Sequence, residues 1–251
     1  RGVVAIGKDR VQATGVSLVF AGGGEARGEA AWAAGKLDAK LAVRDADLRS
    51  WQSTLRATRL AGDITAQATA QAQSFSVALA DPRFEIRGEA RIAGGRLEVQ
   101  KARVARGAAF VDLAGSLELA GRREFRAEGR VERLDPAAFA KVPAGELNAA
   151  FSATGRLGKA AAGVLSLDIE RSRFAGLATA GRAALAWEPA RITDAKADLA
   201  IGETRLVAKG ALGRAGDALE VKLSSPDLAP IGKAFGVALG GRLEFYARLA
   251  G

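Results

Sequence analysis

The chain has 251 residues, a net charge of +9, and no Cys, His or Met. Without Cys there is neither a disulfide framework nor a thiolate metal site, and without His the commonest general base and metal ligand is missing. No apolar run reaches the roughly eighteen residues that a membrane-spanning helix needs, and no signal-peptide pattern is present.

The start at Arg1-Gly2, with no Met, reads as a segment of a longer protein. Any export signal or anchor then lies in sequence outside it. The lack of Cys fits an oxidising compartment. One Tyr, three Trp and ten Phe are too few for a single-strand nucleic-acid platform. Arg103, Arg126, Arg130, Arg205 and Arg248 stand singly on alternating stretches, the pattern of a solvated face. No nucleic-acid partner is expected. Trp32, Trp51 and Trp187 read as core or interface rings.

Period-two alternation dominates from the N-terminus onward. Gly22-Gly23-Gly24 opens the series of turns. Phe84-Glu85-Ile86-Arg87-Gly88-Glu89-Ala90 alternates, and Gly94-Gly95 follows it. Leu117-Glu118-Leu119 alternates ahead of Gly121. Leu134-Asp135-Pro136 then bends the chain into a brief helical stretch, Pro136–Lys141. Leu165-Ser166-Leu167-Asp168-Ile169-Glu170 alternates next, among predicted turns at Gly163, Gly181, Gly202 and Gly216. Leu219-Glu220-Val221-Lys222-Leu223 leads to a second bend, Asp227-Leu228-Ala229-Pro230, with a helical turn over Pro230–Phe235. Gly240-Gly241 then opens the alternating strand Leu243-Glu244-Phe245. Such spacing predicts an all-β meander.

The order of bend, connector, glycine and closing strand occurs three times. A looser copy begins at Asp47-Leu48-Arg49-Ser50 and runs on to Gly62. The bend leucines are Leu48, Leu134 and Leu228, joined by Pro136 and Pro230. Strand-ending glycines are placed at Gly28, Gly115 and Gly210, and strand-opening ones at Gly62, Gly145 and Gly241. All three landmarks recur at intervals of about 83–96 residues, the mark of a stacked repeat array. The expected fold is an elongated curled sheet of many short, mainly antiparallel strands with a few short helical turns. It forms one continuous segment of about three units, near 1–70, 71–157 and 158–251.

One strand face is apolar and must be covered, by closure into a barrel, by a second sheet, or by lengthwise folding into a trough. Ala149, Ala153, Ala183, Ala208 and Ala247 share faces with larger residues. Small side chains there let two faces approach closely or leave space for an apolar guest. A transmembrane barrel is disfavoured by its need for aromatic girdles and strands of about ten residues. A secreted β-solenoid stalk is the alternative to a conduit, although its coils of about 20–30 residues are shorter than the interval here.

Catalytic and metal chemistry find little support. Asp45 with Asp47, and Asp194 with Asp198, are close in sequence, but no glycine-bearing calcium loop surrounds them. Gly22-Gly23-Gly24 lacks the Lys-Ser/Thr of a phosphate loop. No enzyme, cofactor or metal is expected.

The bend-and-strand cassettes, Ser225-Pro226-Asp227-Leu228-Ala229-Pro230 before Gly240-Gly241-Arg242-Leu243 and the Leu134-Asp135-Pro136 copy, resemble the repeats of the TamB and AsmA-like family of bacterial envelope proteins. The resemblance covers about Val11 to Gly251 and implies an interior fragment. It implies a taco-shaped β-groove with an apolar lining, in a periplasmic protein anchored to the inner membrane. It further implies transfer of phospholipid between the two membranes, outer-membrane protein assembly, and an Omp85-type partner bound by other parts of the protein. Phospholipid acyl chains would then lie against the larger apolar residues of matching parity. Those are Leu97, Val99, Leu117, Leu119, Leu165, Leu167, Ile169, Leu199, Ile201, Leu219, Val221, Leu223, Leu243, Phe245 and Leu249, each of which also reads as an ordinary core residue.

Overall fold

A computed structural model describes residues 2–50 and 52–251. Arg1 and Trp51 lie outside the described residues, so the reading of Trp51 as a packed ring is left there. The chain is all-β and antiparallel, and it divides into two compact units, Arg1–Ala120 with Ala138–Lys141, and Gly121–Ala137 with Val142–Gly251.

The first unit is a meander in which each strand pairs with the next. Its strands are β1 (Val3–Ile6), β2 (Arg10–Val19), β3 (Glu25–Ala33), β4 (Lys36–Ala46), β5 (Leu60–Ala68), β6 (Ala72–Asp81), β7 (Phe84–Ala93), β8 (Arg96–Arg106) and β9 (Ala109–Glu118). A 3₁₀ turn, Leu48–Ser50, interrupts it after β4. The second unit repeats the plan with β10 (Glu124–Leu134), β11 (Gly145–Arg156), β12 (Ala162–Phe174), β13 (Leu177–Glu188), β14 (Arg191–Ile201), β15 (Thr204–Leu212), β16 (Ala218–Ser225) and β17 (Leu243–Ala250). The 3₁₀ turn Pro136–Ala138 follows β10, and the helix α1 (Ala229–Phe235) follows β16. Six strands, β5–β10, separate the first bend from the second, and six more, β11–β16, separate the second from the third.

The bends share one device, an aspartate that accepts the N–H of the residue two positions on. Asp47 Oδ1 accepts from Arg49 at 3.0 Å, Asp135 Oδ1 from Ala137 at 3.0 Å, and Asp227 Oδ1 from Ala229 at 2.9 Å. The first two carboxylates also tie the bend shut, by accepting the N–H of Thr58 and of Gly145. In the third, the Leu228 N–H closes the loop on the Gly241 carbonyl at 2.8 Å. Asp45 and Arg133, each two residues before a bend aspartate, both take positive φ, at 54° and 51°, inside a β-bulge. The aspartates therefore set the alignment of the copies. Leu134 precedes its aspartate, whereas Leu48 and Leu228 follow theirs, so Pro136 is the residue equivalent to those two leucines.

Several glycines differ from the sequence expectation. Gly28, Gly115 and Gly210 stand inside β3, β9 and β15, not at strand ends, and Gly163 and Gly181 lie inside β12 and β13, not in turns. At Gly28, Gly163, Gly181 and Gly210 the cause is close backbone approach. A Cβ on Gly210, where φ is +133°, would sit 2.0 Å from the Ala218 carbonyl oxygen, and one on Gly163 would meet the Trp187 ring at 2.7 Å. Trp187 and Gly163 are cross-strand partners, so the indole covers the bare backbone. The strands are also longer than expected, 8 to 13 residues apart from β1. Length thus gives no argument against a barrel.

Burial is sparse. Among the described residues, the apolar residues that are buried in the first unit are Ala26, Val43, Leu60, Phe84, Ala105 and Ala138, and in the second unit Ala195 alone. Phe84 packs on Phe139 with ring centroids 5.0 Å apart. Buried Asp81 beside it accepts the N–H groups of Arg59 and Arg83 and pairs with the Arg83 guanidinium at 2.9 Å. Burial alone would raise the Asp81 carboxyl. The Arg83 side-chain bond and the two N–H groups outweigh it and hold the group below its ordinary range.

Replacement of Asp81 by Ala strands those two N–H groups and is expected to destabilise the first unit by about 1–3 kcal/mol. Because the folded carboxyl titrates below its unfolded value near 3.9, the deficit relative to wild type is full at neutral pH. It shrinks as pH falls through the folded value, and urea melts at neutral and at acidic pH measure it. Gly210→Val is expected to break the β15–β16 ladder near Ala218, costing at least about 1–3 kcal/mol. Faster amide exchange confined to β15 and β16 is the readout.

Candidate functional site: an apolar sheet face

Directly paired residues of an antiparallel ladder project to the same side of the sheet. In the second unit the ladders join seven strands into one cross-strand row, Phe151, Leu167, Ala183, Ala197, Ala208, Val221 and Ala247. The row on one side of it is Ala149, Ile169, Gly181, Leu199, Leu206, Leu223 and Phe245. On the other side lie Ala153, Leu165, Leu185, Ala195, Gly210, Leu219 and Leu249. None of the three rows holds a charged or polar side chain.

All the second-unit candidates, Leu165, Leu167, Ile169, Leu199, Ile201, Leu219, Val221, Leu223, Leu243, Phe245 and Leu249, stand on this face. Ile201 joins it opposite Thr179 and Thr204, and Leu243 opposite Ser225. In the first unit Leu97 pairs with Leu117 and Val99 with Gly115, so these candidates also share one face. Leu119 lies just past β9, its N–H bonded to the Gly95 carbonyl. Residues the sequence reading passed over complete the faces. They include Phe151, Leu185 and Leu206 in the second unit and Ile64, Phe75, Val77 and Ile86 in the first. Alternation alone marked them, for Leu206 stands between Arg205 and Val207 as Leu165 stands between Val164 and Ser166.

These faces are not dry. Phe245 is 50% exposed, Leu249 47% and Leu165 39%, and most of the remaining members are half-buried. Trp32, expected to be packed, is on the apolar face of the first unit opposite Leu37 and is 44% exposed. Trp187 is half-buried.

The opposite face of the second unit is charged and cross-linked. Arg182 Nε donates to Asp168 Oδ2 at 2.9 Å from the neighbouring strand, Arg205 Nε to Asp198 Oδ1 at 2.7 Å, and Lys196 Nζ reaches Asp194 at 2.7 Å. The Arg205 guanidinium holds the Asp198 carboxyl below its ordinary range. The carboxylates weighed as acid–base pairs are thus occupied by ion pairs. Asp45 is held by Arg59 at 2.9 Å, and Asp47 by Arg49, whose side chain and N–H bring its carboxyl down to about 2.

Depressions of about 760 Å³ and about 980 Å³ lie on this charged side. Ser152, Ser166, Arg182, Lys196, Asp198 and Lys209 line the smaller one, with the backbone of the Phe151-to-Ala208 row between them. Of the candidate lining residues, Leu167 and Ile169 alone border these two depressions. The apolar side chains are therefore not the wall of either hollow.

The bend residues lie apart from these rows. The Leu48 N–H donates to Thr58 Oγ1 at 2.8 Å, and Pro230 stands in the first turn of α1, which ends on left-handed Gly236. Phe235 at the end of α1 packs on Phe174 with centroids 6.0 Å apart. Among the described residues no group of three or more His, Cys, Asp or Glu would hold a metal ion, and no helix is long and apolar enough to cross a membrane. Comparisons of the chain with protein-family models, with curated proteins and with solved structures found no match.

Proposed function

We propose that the apolar sheet face binds phospholipid acyl chains, as part of a periplasmic, TamB/AsmA-like envelope protein anchored to the inner membrane. The observation that carries this reading is the pairing of three uncharged rows across seven strands with the near absence of fully buried apolar side chains in the same unit. A protein of this size normally buries its large apolar residues against one another. Here they form one broad surface that stays half open to solvent. Each methylene moved from water onto such a surface gains about 0.8 kcal/mol, so a long alkyl chain is held without specific hydrogen bonds.

The wider role follows from the resemblance and from this surface together. The segment offers equivalent apolar positions strand after strand, so no single position traps a lipid in transit between the inner and outer membranes. Outer-membrane protein assembly, through an Omp85-type partner bound elsewhere in the protein, belongs to the same proposal. The role is non-enzymatic and needs no cofactor.

Protein purified without detergent is expected to carry phospholipid, detected by native mass spectrometry or by solvent extraction. Phe245→Asp places a charge on the apolar face and is expected to lower bound lipid severalfold, with far-ultraviolet circular dichroism unchanged. Tyr246→Asp, on the opposite face, is expected to leave lipid content as in wild type. A lipid-free wild type, or unfolding by Phe245→Asp, returns these residues to the role of an ordinary core.

A further inference from the structure

The positive charge of the second unit is not spread evenly. Nineteen Lys and Arg stand against fifteen Asp and Glu in Gly121–Ala137 and Val142–Gly251, an excess of four. Its ion pairs balance most of the charged face. At one end of the β10–β11–β12 ladder the balance fails. Arg122 and Arg123 precede β10, Arg156 ends β11, and Lys159 lies in the loop that leads to β12. Glu124 is the one acidic residue in those two stretches. Four cations against one acid place an excess of three at a single end of the sheet.

Backbone pairing brings these cations together. Glu124 and Arg156 are cross-strand partners, and the Leu157 N–H donates to the Arg123 carbonyl at 3.1 Å. Arg156 Nε donates to the Ala160 carbonyl at 2.8 Å, which folds its guanidinium over the loop without neutralising it. Arg122 is held only loosely by Glu124, at 3.8 Å, with its side chain 84% exposed. Among the described residues neither Arg123 nor Lys159 has a carboxylate within ion-pair distance. Leu157 at the loop and Val164 just inside β12 are 42% and 48% exposed amid these charges.

From this juxtaposition we infer that the β10-start and β11–β12 loop end of the second unit docks on an anionic bilayer surface. The cations attract the phosphate-rich plane, and Leu157 enters the interface between them. The same charge would also suit a nucleic acid, but the rings nearest these cations, Phe125 and Trp187, are half-buried and lie over the bare backbone of Gly155 and Gly163, whereas Leu157 stands exposed. Docking on a surface differs from uptake of a lipid by the apolar face, so it stands or falls separately from the proposed function.

Vesicle co-sedimentation of the full chain tests it. Vesicles with about a third phosphatidylglycerol are expected to bind at least about tenfold more tightly than pure phosphatidylcholine, with the difference lost near 0.5 M salt. The triple substitution Arg123→Ser, Arg156→Ser and Lys159→Ser is expected to remove about tenfold or more of the affinity for anionic vesicles. Arg91→Ser, Lys101→Ser and Lys222→Ser together remove the same net charge elsewhere and are expected to change it little. Leu157→Ser is expected to weaken the binding that survives at intermediate salt. Extracted lipid is measured on the same samples and is expected to be unchanged by the triple substitution. Equal binding to both vesicle types, equal loss in the control triple, or tighter binding to a single-stranded oligonucleotide than to the anionic vesicles would overturn the inference.

Discussion

The backbone ladder is the constraint on which the rest of each unit depends. In an antiparallel sheet the register decides which side chains share a face, and a slip of one residue exchanges the faces. Row after row in the second unit keeps apolar residues on one side and ion pairs on the other across all seven ladders from β10 to β17. Two of the irregularities stand just before a bend. In β10 the register shifts between Val131 and Leu134, just before the bend at Asp135. In β4 it shifts between Val43 and Ala46, just before the bend at Asp47. A bulge leaves an extra residue unpaired and turns the strand, so at these two places it disturbs the alternation where the strand is about to end.

Small residues act on that ladder rather than on a core. Gly210 and Gly163 sit where a neighbouring carbonyl or an indole occupies the space a side chain would need. The alanines of the central row have a different effect. Ala183, Ala197 and Ala208 stand side by side on β13, β14 and β15, flanked by Leu199 and Leu206 on one side and Leu185 on the other. They lower the middle of the face without breaking its hydrogen bonds. Leucine in their place would leave the ladder intact and raise that surface, so the choice of alanine bears on the shape of the face more than on the stability of the strands.

Much of this architecture could be read before any coordinates. Alternation identified the strands and grouped the candidates of β12 to β17 on one face, because a period of two is preserved by pairing. What was misread depended on pairing partners. Gly163 and Gly181 looked like turns because a glycine required by the next strand cannot be told from one required by a reverse turn. Leu134 was matched with Leu48 and Leu228, although the hydrogen bonds of Asp47, Asp135 and Asp227 define the equivalent positions. The apolar face also suggested a pocket, whereas the hollows fall on the charged side. Concavity depends on how strands twist and bend, and alternation does not carry that information.

Charge follows the same division between what is local and what the ladder assembles. Along single strands the arginines looked dispersed, and on the charged face they are, since Asp168, Asp194 and Asp198 answer Arg182, Lys196 and Arg205. Arg123 and Arg156 are far apart in the chain, and only the β10–β11 pairing sets them at one end, with Lys159 in the adjoining loop. A net charge of +9 read as a property of the whole chain therefore hides two different things. One is a face whose ion pairs cancel within a few ångströms, and it adds little long-range field. The other is a compact excess at the end of a sheet, which acts on anything that approaches along the strand direction. If the apolar face holds acyl chains, such an end is where an anionic surface would be met first, so strand pairing that sorts apolar from charged across the sheet also gathers charge along it.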